Sequence, residues 1–248
     1  FCIPGLRIDA HDFAPQAVEA GAVALVVERT LDVKCPQLLV ADVREALAEI
    51  AAIFYGHPSD ELKLIGITGT KGKTTSSFLV KSVLEAAGYN VGLIGTVCSM
   101  IGETQIPANL TTPDPIDFQS LLRQMADAGV DYVVMEVSAH ALALRKLTGI
   151  RFEVAAFTNL SQDHFDMFGN MENYSAAKMR LFEEDMCARA VYNGDDERVS
   201  AAMAKASIPR TAYGIRVSAE IFAKNIEIGE SGCSFQINYN KRFRLDIS

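Results

Sequence analysis

An apolar run over residues 62–67 leads into Gly66-Ile67-Thr68-Gly69-Thr70-Lys71-Gly72-Lys73-Thr74-Thr75, and a helical pattern follows at once. Strand, glycine turn and helix in that order cradle nucleotide phosphates, because the turn's backbone N–H groups point inward at an anion. Gly69 and Gly72 let the main chain approach that anion. Lys73 would neutralise the outer phosphates, and the Thr74 hydroxyl would ligate Mg²⁺. The full phosphate-loop spacing needs a glycine at position 67, which is Ile67. The motif is therefore a shorter Gly-x-x-Gly-Lys-Thr variant, made meaningful by the strand before it and the helix after it.

The rest of the chain fits that start. It has 248 residues, 49% of them hydrophobic, enough for one large or two ordinary domains with a substantial core. A net charge of −8 and a pI near 5.1 argue against broad binding to nucleic acid or acidic membranes. Cys2, Cys35, Cys98, Cys187 and Cys233 are scattered without a Cys-x-x-Cys pair and read as buried thiols in a reducing compartment. No run is long enough to span a bilayer and no secretory signal is visible, so a soluble, cytoplasmic protein is expected. Phe1-Cys2-Ile3-Pro4-Gly5 reads as the inside of a strand and its turn, and 243–248 as the inside of another alternating run. Both ends thus read as cut, and a piece of a longer protein is expected.

Residues 1–57 read as a small α/β unit. A short helix over 15–20 ends at Gly21, strands follow at 22–27 and 38–40, and Asp42 caps a helix carrying Val43, Leu47, Ile50 and Phe54. Gly56-His57-Pro58-Ser59 is a breaker cluster. From Leu62 onward strands and helices alternate, the pattern of a mostly parallel sheet. Helices are expected over 74–87, 115–128, 171–185 and 196–206, and strands over 62–67, 91–97, 132–137, 154–157 and 190–192. Beyond 219 the period becomes two, with Gly229 and Gly232 marking a hairpin. The expected fold is a three-layer α/β domain with a mostly parallel sheet, preceded by the small α/β unit.

Several polar residues sit where ligands bind such sheets, at the carboxyl ends of strands. Glu136 interrupts the apolar strand 132–137, where a charge is costly unless paired with a lysine or bound to a metal. Asp163-His164 follows the next strand and its loop; His164 alone could be structural or a ligand, and His140 reads as holding loops or the active-site network rather than a metal. Lys178 shares a helical stripe with Tyr174, Leu181 and Phe182. It either snorkels to the surface or is desolvated and partly neutral. A neutral amine can add CO₂ and become a carbamate, an oxygen ligand for a second Mg²⁺. Asn193-Gly194-Asp195-Asp196 could be a plain turn and helix cap, or could bring Asn193 to the edge of an adenine. Leu110-Thr111-Thr112-Pro113-Asp114 could be just the approach to a helix.

Taken in order, Gly66 to Thr75, 110–114, Met135-Glu136-Val137-Ser138-Ala139-His140, 158–164, 174–178 and 193–196 resemble the Mur ligase family, as the type that adds the third peptide residue to the cell-wall precursor. Gly5 to Ala17, with Gly21-Ala22-Val23-Ala24, resembles that family's UDP-sugar domain. The resemblance implies an ATP- and Mg²⁺-dependent amide ligase acting on UDP-N-acetylmuramoyl-L-alanyl-D-glutamate and a diamino acid, meso-diaminopimelate or L-lysine. It implies 1–57 as a UDP-sugar domain, 58–248 as the central ATP domain, and a third domain outside this sequence that holds the amino acid. In the implied site Lys73, Glu136, His164 and Lys178 are catalytic, and Gly69, Thr70, Lys71, Gly72, Lys73, Thr74, Thr75 and Asn193 bind ATP. Thr74, Glu136, His164 and carbamylated Lys178 hold metal, Thr111, Thr112, Ser138 and Lys146 contact substrate, and 5–9 lies near uracil. Lys71 stands where the family usually has asparagine, and Ala139 replaces a frequent second serine. The 248-residue chain alone is expected to have little or no ligase activity, and a monomer is expected. Another Mur ligase or a folylpolyglutamate synthase stays within the fold; a nucleotide-hydrolysing switch or a non-catalytic nucleotide-binding module is the reading of another class.

Overall fold

The central strands are buried on both faces, and the alternating direction of their side chains decides which helix each residue meets. The computed structural model of the chain describes residues 1–5, 8–163, 165–216, 219–229, 232–239 and 243–247. The first part holds α1 (Ala14–Glu19), β1 (Leu25–Val27), β2 (Gln37–Leu39) and α2 (Val43–Phe54). Then come β3 (Lys63–Thr68), α3 (Lys73–Ala86), β4 (Val91–Ile94), β5 (Cys98–Ile101), β6 (Thr104–Pro107), α4 (Pro115–Asp127), β7 (Tyr132–Glu136) and α5 (Ala139–Ala143). They are followed by β8 (Val154–Phe157), α6 (Phe165–Phe168), α7 (Met171–Met179), β9 (Ala190–Asn193), α8 (Glu197–Met203) and β10 (Arg210–Gly214). The last strands are β11 (Ile221–Gly229), β12 (Gly232–Tyr239) and β13 (Phe243–Ile247).

β1 and β2 form a parallel pair, and the other strands join one sheet in the order β13-β12-β11-β10-β9-β8-β3-β7-β4-β5-β6. Pairings from β11 through β4 are parallel, while β5 and β6 at one end and β12 and β13 at the other are antiparallel. Period-two alternation sends Ile67, Val91, Leu93 and Val134 to one face, where Val80 and Leu84 of α3 meet them. It sends Leu64, Ile94, Val133 and Met135 to the other, with Phe118, Leu122 and Met125 of α4 and Leu142 of α5. The result is the expected three-layer α/β arrangement. Register places Ile67 of β3 beside Glu136 of β7, and Thr68 beside Phe157 of β8. Three strand ends therefore open at one level.

Cys2, Ala14, Leu25 and Val27 make a separate small core. The Asp42 carboxylate caps α2, accepting from the Arg44 and Glu45 amides at 2.8 and 3.1 Å. Its second oxygen lies 3.3 Å from Arg145, which also pairs with Glu45. No helix among the described residues is long and apolar enough to cross a membrane.

Some expectations need correction. The strand expected over 91–97 ends at Ile94, because Gly95 and Thr96 turn the chain back into β5. The helix expected over 171–185 stops at Met179 and tightens into a 3-10 turn, Arg180–Phe182. There the Arg180 guanidinium donates to Leu142 O at 3.1 Å and Phe182 stacks on Phe157, pulling the chain inward. The expected strand at 1–5 is reduced to a bridge between Pro4 and Asp9. Cys233 is exposed rather than buried, because it lies near the tip of the β11–β12 hairpin, opposite Ile228. His164 lies outside the described residues, as do Leu6 and Arg7 of the expected uracil loop.

Candidate active site

The glycine turn sits at the carboxyl end of β3. Thr68 Oγ1 donates to Val137 O at 2.9 Å and locks β3 against the end of β7. Gly69 has φ +149° and Gly72 has φ +83°, conformations that favour glycine. A Cβ on Gly69 would collide with Thr158 Oγ1 and stand 3.2 Å from the Asn159 backbone. Gly72 is the N-cap of α3 and Lys73 its first residue. The Lys73 amine folds back, donating to Gly69 O at 3.0 Å and Thr70 O at 3.2 Å. Burial lowers its pKa, against the opposing charges of Glu136 and Asp163. Thr74 is half-buried on the first turn of α3, whereas Lys71 and Thr75 are exposed.

Glu136 shares its strand face with Val134, the face that α3 covers. Its carboxylate is only 1% exposed. The Thr96 amide donates to Oε1 at 2.9 Å, and the Thr96 hydroxyl donates to Oε2 at 3.0 Å. A Cβ on Gly95 would lie 2.5 Å from Oε1, so glycine leaves room for the acid. The neighbouring hydroxyls gather here. Thr111 Oγ1 lies 3.0 Å from Thr96 Oγ1. Thr112 Oγ1 donates to Glu136 O at 2.9 Å and accepts from Ser138 N at 3.1 Å. Ser138 Oγ in turn caps α5. Lys146 stands apart, paired with Asp114 at 2.7 Å.

Lys178 does not snorkel. It is 1% exposed, with its amine 3.0 Å from Gly69 O and 4.6 Å from the centre of the Tyr174 ring. Burial, and then the charge of Lys73, push its pKa down to about 7, while Asp163 opposes them. Near neutral pH this amine therefore gives up its proton far more readily than an exposed lysine. Tyr174 hydrogen-bonds the Thr70 side chain. Phe168 packs against Tyr174, and His140 meets Phe168 edge-on at 5.5 Å. His140 thus belongs to the packing that supports α7.

Asn193 ends β9. Its amide donates to Thr158 O and its carbonyl accepts from Asp195 N, each at 3.0 Å. Beside it opens a cavity of about 550 Å³, lined by Leu160, Asp195, Arg198, Ile215 and Arg216. The structure thus gathers Lys73, Glu136, Asp163 and Lys178 around the glycine turn and sets Asn193 on its flank, whereas Lys146 is held apart by Asp114. Among the described residues no group of three His, Cys, Asp or Glu could hold a metal. The Glu136 carboxylate and the Thr74 hydroxyl are hard oxygen donors of the kind Mg²⁺ takes.

Residues 67–248 match the family model for the Mur ligase middle domain. The chain belongs to the Mur ligase family. The UDP-N-acetylmuramoyl-L-alanyl-D-glutamate--2,6-diaminopimelate ligase of Geobacillus thermodenitrificans (strain NG80-2) is 44% identical over 244 residues, which is 96% of this chain and 50% of that protein. A solved UDP-N-acetylmuramoyl-L-alanyl-D-glutamate--2,6-diaminopimelate ligase superposes with a TM-score of 0.83 at 26% identity, over 96% of this chain and 50% of that one. MurF from Acinetobacter baumannii shares the fold, with a TM-score of 0.63 at 23% identity over 99% of this chain and 51% of that one. The chain spans about half the length of the curated relatives it matches. The Mur ligase match takes in the whole glycine-turn cluster.

Two contributors to this Mur ligase site were not singled out from sequence. Thr96 grips Glu136, and Asn159 grips the glycine turn. Each lies just past the end of a strand flanking the site, which is the signal that could have found them.

Proposed function

We propose that this Mur ligase chain is the nucleotide-handling part of an ATP-dependent amide ligase that joins diaminopimelate to UDP-N-acetylmuramoyl-L-alanyl-D-glutamate. The observation that carries the reading is Lys178, a buried amine of lowered pKa whose nitrogen meets the phosphate turn at Gly69 O. A nucleotide switch or a passive nucleotide-binding module has no use for such a group. The 44% identity to a diaminopimelate ligase supports the choice of substrates.

In this reading the γ-phosphoryl group of ATP passes to the D-glutamate γ-carboxylate and ADP leaves. The diamino acid amine then attacks the acyl phosphate. The tetrahedral intermediate loses a proton and collapses to amide and phosphate. The chain supplies position and charge. Lys73 leaves the Gly69 and Thr70 carbonyls for the outer phosphates. Asn193 faces adenine from the cavity beside it, and Thr111, Thr112, Ser138 and Lys146 face the muramoyl dipeptide. Thr74 and Glu136 would hold one Mg²⁺, with His164 and carbamylated Lys178 serving a second. Bound there, the metal offsets the negative charge on the phosphoryl oxygens. In forming the carbamate, the neutral Lys178 nitrogen bonds to CO₂ carbon and releases a proton. The remaining N–H can still donate to Gly69 O. Residues 1–57 would serve the nucleotide sugar and 58–248 ATP, with the diamino acid pocket in the part of the relatives that this chain does not span.

The test uses the full-length protein with ATP, Mg²⁺ and the UDP-muramoyl dipeptide, offering diaminopimelate and lysine separately. Phosphate release and a tripeptide product with diaminopimelate are expected, and no phosphate release with either amine would defeat the proposal. An unmodified Lys178 in a density map of the active protein would remove the carbamate from it.

A further inference from the structure

The turn after β8 reaches under the phosphate turn and grips its backbone. Asn159 Oδ1 accepts from Lys71 N at 2.9 Å, while Asn159 Nδ2 donates to Lys71 O at 2.8 Å. One side-chain amide thus matches both backbone groups of one residue. Thr158 Oγ1 lies 2.8 Å from Lys71 O and 3.2 Å from Thr68 O and donates to them. Thr70 N donates to Asn159 O at 3.0 Å, and Thr70 Oγ1 both accepts from Ser161 N and donates to Ser161 O. The same turn is anchored on its far side. Asn193 Nδ2 donates to Thr158 O, and Asp196 Oδ2 accepts from Leu160 N at 2.9 Å.

A loop that receives phosphate must keep amides directed at a ligand that is not yet there. Unbraced, such a loop samples closed shapes, and the population that must reopen weakens apparent affinity. The Lys71 side chain is exposed, and Asn159 reads only the backbone groups of that residue. We propose that Asn159 is a positioning residue. It holds residues 68–72 in their nucleotide-receiving shape before nucleotide arrives, and joins that shape to the cavity beside Asn193. The proposal rests on the nucleotide-binding part of the proposed function and not on amide ligation.

The test compares the full chain with Asn159→Ala and with the near-isosteric Asn159→Asp. The aspartate keeps an acceptor for Lys71 N but sets an anionic oxygen against Lys71 O. Two quantities are read, the dissociation constant for MgADP and the hydrogen exchange of residues 69–72 without nucleotide. In Asn159→Ala affinity should fall about tenfold, the scale of one lost hydrogen-bonding side chain. Exchange over 69–72 should quicken by a similar factor, with that of β7 and α4 unchanged. Asn159→Asp should weaken binding as well, at almost unchanged volume. Because the aspartate also sets a negative charge near the phosphates, its hydrogen exchange over 69–72 without nucleotide, rather than its affinity, separates a brace from a side chain that merely fills space. Unchanged exchange over 69–72, or unchanged MgADP affinity in either folded variant, overturns the proposal. Should neither variant fold, an unprotected Lys71 amide in the nucleotide-free wild type overturns it and a protected one supports it. Failure of the wild type to bind MgADP would sink the proposed function, and the exchange data would still decide the brace.

Discussion

A lysine amine that is 1% exposed and faces a second lysine holds its proton weakly. The usual lysine value is 10.5, and that of Lys178 is about 7. Between those values the unfolded chain keeps a proton that the folded chain has released. This group therefore makes stability rise with pH across that window, by at most about 1.4 kcal/mol per pH unit. Below the window both states are charged and the whole burial penalty stands; above it neither is charged. Lys178→Met removes the penalty, so its stabilising effect should be larger at about pH 6.5 than at about pH 9. Urea unfolding of both proteins in CO₂-free buffer at the two pH values, where Lys178 stays a free amine, checks this, and an equal difference at both would refute it. Thr96 offers a second residue-level test. Thr96→Val removes the hydroxyl on Glu136 Oε2 and keeps the backbone donor on Oε1. The Mg²⁺ concentration for half-maximal activity of the full-length protein should rise several-fold, roughly the effect of 1 kcal/mol. Thr96→Ser should restore it.

At the scale of elements, α7 delivers both Tyr174 and Lys178, and its start is fixed by Asn170, whose side chain accepts from Asn173 N at 2.8 Å. Asn170→Ala should cost about 1 kcal/mol of unfolding free energy, measured by denaturant titration. Elements with a full repeat of their own period were legible in the sequence. Helix α4 shows its proline start and glycine stop, and β7 is apolar up to Glu136. The β5–β6 return was not legible, because it is an antiparallel addition at the sheet edge whose outer strand is largely exposed and carries no apolar run, and its partner is chosen by tertiary contacts. The end of α7 was masked by Leu181 and Phe182, which keep helical spacing after the backbone has become 3-10. Lys178 had two readings because spacing places a side chain on a stripe without saying what waits there. The oxygen that waits, Gly69 O, belongs to a segment more than a hundred positions earlier. Thr96 and Asn159 stayed hidden for the same reason, since their partners exist only once β4 lies beside β7 and β8 beside β3.

Across the whole molecule, the sheet grows from β3 through β7 to β4 on one side and through β8 to β11 on the other. The glycine turn therefore opens where the winding reverses, the crevice in which open α/β sheets take ligands. At its floor one carbonyl oxygen, Gly69 O, serves both Lys73 and Lys178. A polyphosphate that draws Lys73 off this oxygen removes a cation from beside Lys178 and brings in anions. Both changes strengthen the grip of Lys178 on a hydrogen ion. Nucleotide capture should then consume acid from the medium. In CO₂-free solution at a pH above about 7, the calorimetric heat of ADP binding without divalent metal should track the ionisation enthalpy of the buffer, and in Lys178→Met it should not.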